Sequence, residues 1–194
     1  GLERLKTFLP SAGNNYAALR NYDLGQNNHT NVSLLSPYIR HRSLTEIEVL
    51  KSVLCYHSKK SSEKFIQEVF WRTYWKGWLE MRPTVWADYH SKLNRLADDL
   101  KTQSGFRKSW ENACQGKTGI DCFDSWAKEL FDTGYLHNHA RMWFASIWIH
   151  TLKLPWELGA DFFLRNLLDG DPASNTLGWR WVGGAQTVGK TYLA

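Results

Sequence analysis

His137-Asn138-His139-Ala140-Arg141-Met142, Leu154-Pro155-Trp156, Asp169-Gly170-Asp171-Pro172-Ala173-Ser174-Asn175 and Gly178-Trp179-Arg180-Trp181 are the stretches whose reading decides the fold. Asn138 to Lys153 is mostly apolar and predicts a buried helix, broken by Pro155. Glu157 to Leu168 predicts a second helix, stopped by the tight Asp-Gly-Asp-Pro loop. Trp179 to Val182 is the one short segment that reads as a strand. Upstream, Asp121 to Asp132 predicts a helix closed by Gly134 at the C′ position.

The rest of the chain also reads as helical. Val85 to Lys101 and Ser61 to Met81 have helical patterning, with Pro83 between them. Ser43-Leu44-Thr45-Glu46 predicts a capping box that opens a helix to about His57. Its apolar face is expected to be Leu44, Ile47, Leu50, Val53 and Leu54. Leu2 to Leu9 predicts a short helix ended by Pro10, and the Asn-rich stretch Asp23 to Asn31 predicts a loop. There is no repeat. The expectation is an all-α protein with a single domain over residues 1–194.

Composition narrows the function. Eleven tryptophans in 194 residues is several times an ordinary load, and suits stacking on a flat cofactor or on bases. The formal charge of +5 is compatible with a nucleic-acid partner. Cys55, Cys114 and Cys122 have no metal-type spacing and read as reduced thiols. The apolar run Met142 to Ile149 is too short to cross a bilayer. His137 and His139 have no third ligand at useful spacing, so no metal is expected.

Taken together, these motifs resemble the FAD-binding domain of the DNA photolyase/cryptochrome family. Ser33-Leu34-Leu35-Ser36-Pro37-Tyr38 is similar to the family loop that holds the FAD phosphates, with Val32 where threonine is usual. Glu68-Val69-Phe70-Trp71-Arg72-Thr73-Tyr74 resembles its Glu-Leu-x-Trp-Arg helix. Lys117-Thr118-Gly119 with Asp124, then Thr133-Gly134-Tyr135-Leu136-His137-Asn138, resembles two further family segments. Tyr135 replaces a tryptophan there, and His139 an arginine. The resemblance implies the helical FAD-binding domain alone, without the N-terminal α/β antenna domain of the family.

The resemblance also implies roles. Tyr22, Ser33, Leu35, Ser36, Arg72, Asn138, Arg141, Asp169, Asp171 and Asn175 would hold FAD. Asp171 is expected to pair with Arg141, and Asn175 to face the flavin N5. Glu68 would bond a base of a flipped lesion, and Trp71 would stack on it. Met142 stands where the pyrimidone-repairing branch has histidine, so it points to cyclobutane dimers. Trp179 and Trp156 match the inner and middle members of the photoreduction chain. The outer member has no counterpart, and Trp110 is the nearest candidate. The implied function is light-driven, FAD-dependent repair of pyrimidine dimers in damaged DNA, inside the cell and near the nucleoid. The alternative is a blue-light photosensor that signals to a protein partner. No membrane partner is expected.

Gly184-Ala185-Gln186-Thr187-Val188-Gly189-Lys190-Thr191 satisfies the phosphate-loop pattern. That mechanism needs a parallel βαβ frame and a helix aimed at the phosphate. The sequence shows no such frame, so this segment reads as the tail of the flavin domain.

Overall fold

A computed structural model describes residues 1–26 and 28–186. Every regular element among them is helical, as the patterning predicts. The chain divides into two compact units, Gly1–Trp75 and Lys76 onward.

The first unit holds α1 (Leu2–Phe8), α2 (Asn14–Leu19), α3 (Ser36–Arg40), α4 (Glu46–Tyr56) and the first part of α5 (Glu63–Glu80). A 3-10 turn, Leu9–Ser11, carries Pro10. The core joins Leu5, Leu35, Leu44, Val49, Val53 and Val69 to an aromatic trio. In that trio, Tyr16 meets Phe65 edge-on at 5.1 Å and Phe8 meets Phe65 at 5.4 Å. Each such buried ring contributes about 1.5–3 kcal/mol by area removed from water.

The α4 cap sits two residues later than expected. Thr45 is the N-cap: its hydroxyl accepts from Glu48 N–H at 3.2 Å, and Glu48 accepts from Thr45 N–H at 2.8 Å. Both Ser43-x-x-Glu46 and Thr45-x-x-Glu48 satisfy the pattern. Glu46 is instead engaged by Arg42 at 2.8 Å and Arg72 at 3.3 Å. The buried face falls on Val49 and Val53, and Ile47 and Leu54 are exposed.

The second unit holds α6 (Pro83–Thr102), α7 (Ser104–Cys114), α8 (Asp121–Thr133), α9 (Asn138–Ser146), α10 (Trp156–Asn166) and α11 (Pro172–Val182). Helix α10 packs on α6 and α11, and α9 packs on α11. Phe144, Trp148, Phe163 and Trp179 fill the centre. Trp179–Val182 is the last turn of α11 rather than a strand. Asp171 accepts from Ala173 and Ser174 N–H, both at 3.1 Å, and Pro172 occupies the first turn, so the helix is set well before the Trp-Arg-Trp alternation.

Helix α9 gives way at Ile147–Thr151 to a wider π-turn, where a longer α-helix is expected. The wider turn accompanies a bond from Trp148 Nε1–H to the Pro155 carbonyl at 2.9 Å. Gly134 closes α8 in the left-handed conformation, with φ of 66°. All three cysteines are free thiols, and burial pushes the Cys114 thiol up to about 12. Within the phosphate-loop pattern, Thr187 to Thr191 lies outside the described residues.

Asp124 ties down the loop before α8. Its carboxylate accepts from Thr118 N–H at 2.9 Å, Thr118 hydroxyl at 2.7 Å and Gly119 N–H at 2.9 Å. Burial raises its pKa, but these donors outweigh burial and hold it below the usual carboxylate range. A lowered folded-state pKa gives stability that is complete above the unfolded value, about 4, and is lost as the pH falls through the folded value. Asp124→Asn should therefore cost about 1–2 kcal/mol at neutral pH. In denaturant titrations the gap from wild type should narrow steadily below about pH 4. A gap that persists unchanged into acid rules out the charge as its source.

Candidate functional site: an acidic loop, a fixed guanidinium and an exposed aromatic face

In the second unit the site is built on the loop between α10 and α11. Arg141, one turn into α9, reaches Asp169 through two parallel bonds: Nη1 to Oδ1 at 3.0 Å and Nη2 to Oδ2 at 2.9 Å. Its Nε–H donates to the Leu136 carbonyl at 2.8 Å. Burial opposes the Arg141 charge, but the Asp169 carboxylate outweighs it and holds the guanidinium pKa above its ordinary value. The guanidinium also lies 5.2 Å from the Tyr135 ring centre, in cation–π contact.

This corrects the expected Arg141–Asp171 pair. Asp171 caps α11, and its Oδ2 lies 3.4 Å from Lys76 Nζ. Lys76 was not legible as a site residue, because its partner lies far along the chain.

Asn138, Arg141 and Met142 lie within one turn of α9. Asn138 Nδ2–H approaches Met142 Sδ at 3.7 Å. Asn175 sits in the first turn of α11, where its Nδ2–H donates to the Ala160 carbonyl at 2.7 Å. That bond orients the amide. Its Oδ1 accepts from no described residue and is left to meet a ligand donor.

Trp179 is 3% exposed, with ring contacts to Phe163 at 4.9 Å, Trp148 at 6.0 Å and Phe144 at 6.3 Å. Its buried Nε1–H has no partner. Trp156 opens α10, and its ring packs against the end of α11 beside Gly183.

In the first unit, Glu68 and Trp71 lie one turn apart on α5. Glu68 is ion-paired with Arg20, which also lies over the Tyr16 ring. Arg20 is 48 residues from Glu68, so no local pattern could reveal it. Trp71 is 44% exposed and stacks on Trp75 at 5.6 Å with 25° between planes. Phe65 points into the core instead.

Ser33 Oγ accepts from Leu35 N–H at 3.3 Å, closing a turn around Leu34, whose φ is 53°. Leu35 anchors that loop. Its side chain is buried in the core, its N–H is given to Ser33, and its carbonyl accepts from Ile39. The Ser36 hydroxyl bonds to no described residue. Tyr22 is 61% exposed; the tyrosine enclosed near α5 is Tyr16.

Residues 65–193 match the FAD binding domain of DNA photolyase. The chain belongs to that family. A deoxyribodipyrimidine photo-lyase of Streptomyces griseus is 32% identical over 156 residues, covering 80% of this chain and 32% of the relative. One from Alkalihalophilus pseudofirmus is 27% identical, covering 99% of this chain and 39% of its own length. The photolyase-family chain thus spans 32–39% of the length of these curated relatives. Its fold matches a class III photolyase of Agrobacterium tumefaciens at TM-score 0.78 and 26% identity, covering 98% of this chain and 39% of that one. A Synechocystis cryptochrome follows at 0.76 and 26%, covering 99% and 40%. Both a photolyase and a cryptochrome share this backbone, so the fold does not separate repair from sensing.

The photolyase-family residues fit a flavin. Asp169 sets a carboxylate beside a fixed positive charge, and Asn175 presents an acceptor that no described residue uses. These match the N–H edge and the electron-rich centre of an isoalloxazine ring. Among the described residues there is no group of three or more metal-type ligands and no helix long and apolar enough to cross a membrane.

Proposed function

We propose that this chain carries the flavin site of a light-driven enzyme that splits cyclobutane pyrimidine dimers in DNA. The observation that carries the reading is the pairing of Glu68 with Trp71: an oriented carboxylate one turn from an exposed indole, on a helix within the photolyase match. That pair suits an extruded base, which offers both a flat face and a polar edge.

When bound, reduced FAD supplies one electron to the dimer on absorbing light and recovers it after the ring opens. The chain does the rest. Arg141, locked by Asp169, supplies a fixed positive charge where the reduced ring is anionic. Asn175 Oδ1 would accept a hydrogen bond from a ring N–H, and the Asp169 carboxylate one from the ring's imide N–H. Asn138 and Met142 border the same surface of α9. On α5, Arg20 holds Glu68 so that its free oxygen can accept from a base. Trp71 stacks on the extruded dimer, worth about 1–3 kcal/mol per base. Ser33, Ser36 and Arg72 offer hydroxyls and a cation for the cofactor phosphates. Trp179 and Trp156 give electrons inward when the oxidised cofactor must be activated.

The test reconstitutes the chain with FAD and illuminates it, reduced, with dimer-containing single- and double-stranded oligonucleotides. Wild type should restore intact pyrimidines. Trp71→Ala and Glu68→Gln should each lower repair about tenfold or more while flavin uptake stays unchanged. Full flavin uptake with no repair of either substrate selects the photosensor instead.

A further inference from the structure

We infer that Tyr89 and Trp86 on α6 continue the electron path outward from Trp156, with Trp86 as its solvent-side terminus. This rests on the flavin reading above. The geometry is a row of rings. Trp156 stacks on Tyr89 at 5.6 Å with 25° between planes. Tyr89 lies 5.5 Å from Trp86, one helical turn away on the same helix. Trp86 is partly exposed, and the edge of His90 meets it at 4.4 Å. Electron transfer falls steeply with gap, and the two outward steps, Trp156 to Tyr89 and Tyr89 to Trp86, are each a ring-to-ring contact. Trp110, the candidate from sequence spacing, has no ring neighbour among the described aromatic contacts. Its buried Nε1–H has no acceptor either, so an oxidised Trp110 has nowhere to send its proton.

Tyr89 is suited to bridge rather than to stop the charge. Its side chain is 2% exposed and its hydroxyl has no partner. A phenol is readily oxidised only if it sheds its proton, and here no acceptor waits. Burial, then the carboxylates of Asp161 and Glu157, pushes its pKa well up. The same negative field favours a positive charge on the neighbouring indoles. Glu157 follows Trp156 in the chain and is buried, with Lys92 Nζ 3.6 Å away.

The electron count closes. Trp179 gives one electron to the light-excited oxidised flavin and takes one from Trp156. One electron then passes from Trp86 across Tyr89 to the Trp156 cation, which becomes neutral. The Trp86 cation loses its Nε1 proton to water. An external thiol gives one electron and its proton to the neutral Trp86 radical, restoring the indole, and the thiyl radicals so formed couple in pairs to disulfide.

The test uses the FAD-reconstituted chain and two readouts: the rate of flavin photoreduction under thiol, and the tryptophan radical seen by transient absorption after a laser flash. Trp86→Phe and Tyr89→Leu should slow photoreduction at least tenfold and remove the long-lived radical. Tyr89→Phe keeps the ring and should stay within twofold of wild type, and Trp110→Phe should be unchanged. Circular dichroism and bound-flavin absorbance confirm that each variant is folded and loaded. Photoreduction at the wild-type rate in loaded Trp86→Phe overturns the path, as does its loss in Trp110→Phe. A tenfold loss in Tyr89→Phe overturns the bridging role. Wild type that takes up no flavin overturns the flavin reading instead.

Discussion

Asp169→Ala is expected to lower the unfolding free energy by about 3–5 kcal/mol and to abolish flavin uptake. Arg141 is held by three bonds, two to Asp169 and one to the Leu136 carbonyl. Removing the carboxylate leaves a guanidinium that burial already penalises, with one neutral acceptor. The cost comes from the stranded charge more than from the lost attraction, and a double replacement separates the two. Asp169→Leu combined with Arg141→Met removes both charges at similar volume, so it should recover most of the stability. It should still bind no flavin, because the fixed cation and the acceptor are both gone. Urea titration reads the first effect, with an unchanged slope showing that the transition has the same extent. Flavin absorbance reads the second. A single-variant loss below about 1 kcal/mol would mean that water already screens the pair.

The pair also shows what the sequence could and could not disclose. Two aspartates stand two residues apart, and either reaches Arg141 on paper. The deciding fact is local: Asp171 precedes Pro172 and is used as a helix cap, which leaves Asp169 for the arginine. The Asp-Pro signal was readable. Given full weight, it would also have converted Trp179–Val182 from strand to helix. Gly134 was readable for a similar reason, since a left-handed helix end asks for glycine.

The Arg20–Glu68 pair, the Lys76–Asp171 contact and the Trp156–Tyr89 stack were not readable. Each joins residues far apart in sequence, and only packing brings them together. The exposed Trp71 and the buried Trp179 look alike in a list of eleven tryptophans. Their different environments separate a surface indole from a core one.

Two glycines on neighbouring helices should respond to alanine with opposite signs. Gly159 on α10 faces Trp179: a Cβ there lies 2.3 Å from two atoms of that indole and 3.1 Å from the Trp148 ring. Neither ring is a flexible tip. Trp179 is wedged among Phe144, Trp148 and Phe163, and Trp148 is anchored by its bond to Pro155. Relief requires α10 and α11 to move apart, which opens this core. Overpacking of this kind costs about 1–3 kcal/mol, sometimes more. Helix propensity returns up to about 1 kcal/mol for glycine to alanine. Steric overlap at 2.3 Å outweighs that gain, so Gly159→Ala should lose about 2 kcal/mol net. Gly178 on α11 is exposed, and a Cβ there meets nothing within 4 Å. Gly178→Ala therefore keeps the whole propensity term and should gain up to about 1 kcal/mol. Thermal melts of the two variants read both signs at once. Tryptophan fluorescence should shift in Gly159→Ala alone, because that variant displaces the buried indole. A neutral Gly159→Ala would place Trp179 elsewhere, and the inner end of the electron path with it.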